Sequence, residues 1–199
     1  MNHVLYVIKY TGEGANAQGK EAHVWHWESD IAENLSIPSS VSTEITYKDE
    51  NQQERTKTIS APVKVIMGGA FGNWNGQICP VTSITIPNTV IEIKGTNTFG
   101  SSIKSITIGS NITKIGQQVF DSNLEMIICY ATTPPTIDGI TFQNYSAKVY
   151  VPDNRVNDYK NHLIWGIFRG NIHGINEIKN LNKSYEKTGG SQENSIKMD

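Results

Sequence analysis

Apolar and polar residues alternate in two nearly identical stretches, Ile84-Thr85-Ile86 and Ile106-Thr107-Ile108. A period of two is that of a strand, with the isoleucines turned to one side and the threonines to the other. Each stretch opens a longer pattern that is copied along the chain. Val81, Ile84, Ile86, Val90, Ile93 and Phe99 fall on Ile103, Ile106, Ile108, Ile112, Ile115 and Phe120, and Leu124, Ile127, Cys129, Ile137 and Phe142 fill the same slots a third time. The phenylalanines are 21 and 22 residues apart, a leucine-rich-type period. After the first strand a P-N-T or G-S-N turn reverses the chain, a second short apolar stretch covers the opposite side, and the phenylalanine plugs the interior. One such unit cannot bury its apolar face alone, so several must stack. The predicted fold is therefore β-rich: a short right-handed leucine-rich-repeat-type solenoid of about four to five coils.

Weaker copies extend the array. Val63, Ile66 and Phe71 keep the spacing of Ile112, Ile115 and Phe120, and LSIPSSV (35–41) echoes ITIPNTV (84–90), with YKDENQQERTKT (47–58) read as a polar interruption. Upstream, VLYVIKY (4–10) and AHVWHWE (22–28) predict an N-terminal β-hairpin with a long loop. Downstream, AKVYVP (147–152) repeats the strand once more, and Tyr159, Leu163, Trp165, Phe168, Ile172 and Ile175 are placed over the open end as a C-terminal cap. The expected organisation is a hairpin over 1–34, the repeat solenoid over 35–146, a terminal strand and cap over 147–176, and a flexible polar tail over 177–199.

Composition sharpens this picture. The 199 residues hold 26 isoleucines against 5 leucines, and 52 are Asn, Ser or Thr. Isoleucine and threonine lose side-chain freedom in helices and fit pleated sheets. Net charge is −2 with no basic run, so no nucleic-acid partner is expected. Apolar runs fall far short of a membrane span, so no membrane insertion is expected. Lys9 interrupts the first apolar run and no small-residue cleavage site follows. A cytoplasmic or virion-associated location is therefore expected over a secreted one. Cys79 and Cys129 are read as two unpaired thiols.

The stretches ITIPNTVIEI (84–93) and SITIGSNITKIGQQVF (105–120), with the series from Cys129 to Ile172 that includes CYATTPP, VYVP, YK, W and F, resemble the BspA-type leucine-rich repeats. The resemblance implies a curved solenoid used for adhesion or protein binding, without a catalytic site.

Chemistry-bearing motifs are sparse. Gly14-Ala-Asn-Ala-Gln-Gly19-Lys20 has phosphate-loop spacing, but Glu21 follows where Ser or Thr is needed and a strand follows where a helix is needed. His23 and His26, three apart on a strand, are expected on opposite faces, unable to share an ion. Neither a catalytic constellation nor a metal or cofactor site is predicted. The candidate site is instead the outward face of the repeated strand, where Ser83 and Thr85, Ser105 and Thr107, Met126 and Ile128, and Lys148 and Tyr150 stand side by side. They form a hydroxyl ladder grading into an apolar and aromatic patch, suited to a protein or glycan partner. The competing reading is that threonine is simply a good strand residue and that Met126 and Ile128 pack under the terminal segment. Trp25, Trp27 and Trp74 form a second candidate surface. A homo-oligomer, or a place in a larger assembly such as a bacteriophage virion or tail, is the alternative functional reading.

Overall fold

The computed structural model describes residues 4–28, 31–137 and 140–179. Its strands are β1 (Val4–Thr11), β2 (Gln18–Trp27), β3 (Asn34–Ser36), β4 (Ser40–Lys48), β5 (Glu54–Ile66), β6 (Ser83–Ile86), β7 (Glu92–Ile93), β8 (Ser105–Ile108), β9 (Lys114–Ile115), β10 (Met126–Cys129), β11 (Thr136–Ile137), β12 (Lys148–Val151) and β13 (Ile172–Gly174). They form two sheets. One has the order β3-β6-β8-β10-β12-β13, and the other runs β1-β2-β5-β7-β9-β11 with β4 attached to β5.

The repeat seen in the sequence becomes a parallel register in space. Leu35, Ile84, Ile106, Ile127, Val149 and Ile172 pair in succession across the first sheet. Ile66, Ile93, Ile115 and Ile137 pair across the second. A third row consists of single bridges from Phe71 to Phe99, Phe120 and Phe142. Their rings stack at centroid distances of 5.9, 5.4 and 4.9 Å, with planes within 14° of parallel. All these side chains are buried in one continuous core. Successive repeats approach closely in the turn that precedes each ring: a Cβ on Gly95 would lie 2.1 Å from the Gln117 carbonyl oxygen. Two residues ahead of their phenylalanines, Asn97 and Gln118 both take left-handed backbone (φ 51° and 49°), so the turn that inserts the ring is itself repeated.

Residues 47–58 are not an interruption. They form the far half of a long antiparallel hairpin, with β4 and β5 paired from Ser40↔Pro62 to Lys48↔Glu54. Asp49 Oδ1 accepts the Asn51 and Gln53 amides at the tip, and Arg55 Nε donates to its other oxygen at 2.9 Å. Beyond Pro62, which has no amide to give a ladder, β5 leaves β4 and pairs with β2 on one side and β7 on the other. β5 thus joins both hairpins to the repeats.

After β12 come α1 (Val156–Asn161), a 3₁₀ segment (Trp165–Asn171) and β13. Trp165 and Phe168 set their edges against the last ring of the stack, Phe142, at 5.4 and 5.0 Å. The Trp165 indole donates to the Pro135 carbonyl at 3.0 Å, and the Tyr159 hydroxyl donates to the Ala131 carbonyl at 2.9 Å. Tyr159, Trp165, Phe168 and Ile172 are buried, whereas Leu163, expected among them, is 88% exposed. It falls in the break between α1 and the 3₁₀ segment, where neither helix turns it inward. Most of the tail expected over 177–199 lies outside the described residues; its first three residues belong to a helical turn spanning 175–179.

Phe120, with rings on both sides, should be the least replaceable residue. Phe120→Ala is expected to cost about 3–5 kcal/mol in urea unfolding, against under 1 kcal/mol for the exposed Leu163→Ala. Burial pushes the Tyr159 phenol well above its ordinary range. Stability from its neutral form is therefore present below the unfolded value near 10 and lost as pH rises above it. The urea midpoint should fall between pH 8 and pH 11, and less steeply in Tyr159→Phe.

Candidate functional site

In the sheet that begins with β3, the isoleucines turned into the core leave the residues between them pointing outward. Parallel pairing aligns these into two rows: Asn34, Ser83, Ser105, Met126 and Lys148 in one, and Ser36, Thr85, Thr107, Ile128, Tyr150 and His173 in the other. Neighbours in a row sit about 4.8 Å apart, the strand spacing. All eight sequence candidates therefore lie on one surface in the expected order. The rows also include Asn34, Ser36 and His173, which the sequence reading missed. The echo of ITIPNTV by LSIPSSV carried the signal for the first two, since it aligns Leu35 with Ile84.

The two ends of the surface differ. Ser83, Thr85, Ser105, Thr107 and Met126 are half-buried, and Asn34, Ser36 and Lys148 are exposed. Ile128 and Tyr150, expected to form an open apolar patch, are only 2% and 5% exposed. The helical turn spanning 175–179 folds back over them, so that Ile128, Tyr150, Ile175 and Ile178 make a small core of their own, flanked by Met126 and Tyr130. Ile175 thus lies on the sheet face, away from the Phe142 end. Polar groups fasten the turn. Glu177 accepts from the Gly174 amide at 3.3 Å and lies 3.0 Å from His173 Nδ1, and Asp153 accepts the Asn176 amide at 3.4 Å. Burial, and then the charge of Glu177, push the Tyr150 phenol above its ordinary range.

The second aromatic surface divides in the same way. Trp27 is buried and donates to the Gly72 carbonyl at 2.8 Å, while Trp25 and Trp74 are exposed. A bulge in β2 pairs Leu5 with His26 but Tyr6 with Val24, leaving Trp25 as the extra residue. His23 and His26 consequently sit opposite Val7 and Leu5 and share a face, contrary to the alternation expected from an unbroken strand. They still form no chelate: the His26 ring lies 5.0 Å from that of Trp74, and His23 Nε2 lies 3.1 Å from Glu21 Oε1, which also accepts from Lys9. Hydrogen bonds from Lys9 and His23 hold the Glu21 carboxyl below its ordinary range. The glycine-flanked loop is a single 3₁₀ turn, Gly14–Asn16, leading into β2 rather than a helix.

Among the described residues no group of three His, Cys, Asp or Glu is placed to hold a metal ion, and no helix is long and apolar enough to cross a membrane. Cys79 and Cys129 are both buried free thiols, and burial pushes each above its ordinary range. A family model described as the BspA type leucine rich repeat region matches residues 40–164 in six copies. No curated protein matches the chain.

Burial reverses the mutational expectation for the C-terminal end of the face. Ile128→Asp places a carboxylate against Ile175 and Ile178 and should cost about 3–5 kcal/mol in chemical unfolding. Thr107→Asp, its open neighbour in the same row, should cost under about 1 kcal/mol.

Proposed function

The chain belongs to the BspA-type leucine-rich repeat family, and from that premise we propose that its repeats build a short solenoid acting as a non-catalytic protein-binding module. The partner docks on the open part of the outward sheet face, formed by Asn34, Ser36, Ser83, Thr85, Ser105 and Thr107. One observation carries the reading: two parallel rows of short hydroxyl and amide side chains are exposed at Asn34 and Ser36 and half-buried at Ser83, Thr85, Ser105 and Thr107, while the apolar continuation of the same rows is sealed by residues 175–178. Short polar side chains lose little rotamer freedom when covered and offer both donors and acceptors. Their regular spacing suits an extended partner segment that presents a polar group at each strand. The buried, unreactive thiols favour a binding role over catalysis.

Incorporating a photo-crosslinking residue at position 107 should capture one protein from an extract of the source cells, and Thr85→Arg should abolish the capture while leaving the unfolding midpoint unchanged. The same products from a crosslinker at exposed Leu163, or none at position 107, would contradict the assignment of this face.

A further inference from the structure

Strand β1 is paired on one edge only. Its partner is β2, and among the described residues no strand pairs with its other edge. Proteins usually blunt such edges with short strands, charges, prolines or a covering loop. β1 has eight residues, no proline, and one charge, Lys9, already held by Glu21 at 2.9 Å. It is apolar on both sides. Leu5 and Val7 are 42% and 45% exposed on the outer face. Tyr6, Ile8 and Tyr10, on the inner face, line a cleft of about 500 Å³ whose far wall is Val41 and Ile45 of β4. The Tyr6 hydroxyl is buried there without a hydrogen-bond partner, and burial pushes it up to about 12.

We propose that β1 is a homodimer interface, pairing antiparallel with β1 of a second copy of this chain about a two-fold axis through Val7. The sequence of the strand is self-complementary in that register. Val7 meets Val7 of the second copy, Tyr6 meets Ile8, Val4 meets Tyr10, and Leu5 meets the aliphatic stem of Lys9. The two-fold keeps the inner faces of both strands on one side, so the apolar rows that line each cleft become continuous across the interface. Charge disfavours the registers displaced toward the C-terminus, and the Val7 register pairs more of the strand than those displaced the other way. Centring on Ile8 brings the two Lys9 ammoniums to diagonal positions, and centring on Lys9 opposes them directly. The Val7 register leaves each lysine at its own end beside its own Glu21. The unmatched backbone edge and the exposed Leu5 and Val7 are satisfied together, which a partner on the distant sheet face containing Thr107 would not do.

The test is sedimentation equilibrium on the full chain and on two charge variants of the residue at the axis. Wild type should be a dimer at roughly 100 μM. Val7→Lys and Val7→Glu each oppose like charges and should weaken association by about a hundredfold or more. Mixed in equal amounts they should dimerise again, because only a two-fold contact brings position 7 against position 7. Leu5→Glu, facing Lys9, should tighten the dimer and Leu5→Lys should loosen it; this pair decides the matter if either Val7 variant unfolds. A monomeric wild type, dimers that survive all these substitutions, or mixed Val7 variants that remain monomeric overturn the proposal.

Discussion

A repeat of about 21 or 22 residues holds too little apolar surface to exclude water from its own interior, so every part of this fold depends on one repeat lying in register on the next. The constraint is most concentrated at Phe71, Phe99, Phe120 and Phe142, whose rings stack face to face and end against the edges of Trp165 and Phe168. A slip of one residue in either flanking sheet would turn the isoleucines outward and separate the rings. The same register aligns the outward rows: with the Leu35, Ile84, Ile106, Ile127 and Val149 positions fixed inward, the residues between them are fixed outward.

Because the repeat is local in sequence, much of the fold was legible there. The isoleucine slots and the phenylalanine spacing predicted which residues are buried and which are paired. The polar surplus was only partly legible. Some Ser, Thr and Asn residues occupy outward strand positions, but others join one repeat to the next. The Asn123 amide donates to the Ser101 carbonyl at 3.0 Å and the Asn144 amide to the Ser122 carbonyl at 2.9 Å, each reaching 22 positions back into the neighbouring repeat. Thr113 and Thr136 donate their hydroxyls to the carbonyls of Ile91 and Thr113, each at 3.0 Å. The Ile91 and Thr113 carbonyls also accept the Thr113 and Thr136 backbone amides, at 2.9 Å each, so the hydroxyls add a second bond to the same acceptors.

What escaped the sequence is what departs from the repeat. The polar stretch around Asp49 is amphipathic in neither period, yet a tight turn and the long pairing partner in β4 make it a hairpin. The bulge at Trp25 reverses the facing of His23 relative to His26, and no residue type announces a bulge. Parallel pairing puts the candidate residues on one side of the sheet, and of the two readings of its C-terminal end the structure has the one in which Met126 and Ile128 pack under the terminal segment. Ile128 and Tyr150 are apolar because residues 175–178, far away in the chain, cover them. The repeat alone shows these positions as apolar and outward; which residues outside the repeat cover them is decided by the fold.

Deleting one whole repeat measures the central constraint most directly. Removing the 21 residues Ile103–Asn123 joins Ser102 to Leu124, keeps every slot in phase, and sets Phe142 beside Phe99 and Cys129 beside Ile86. Removing only Ile112–Asn123 leaves the strand of one repeat without its own phenylalanine. If stacking in register governs the fold, the whole-repeat deletion retains a single cooperative thermal transition at a lowered midpoint and the partial deletion loses it. Equal loss of cooperativity in both, or equal retention, would contradict the account.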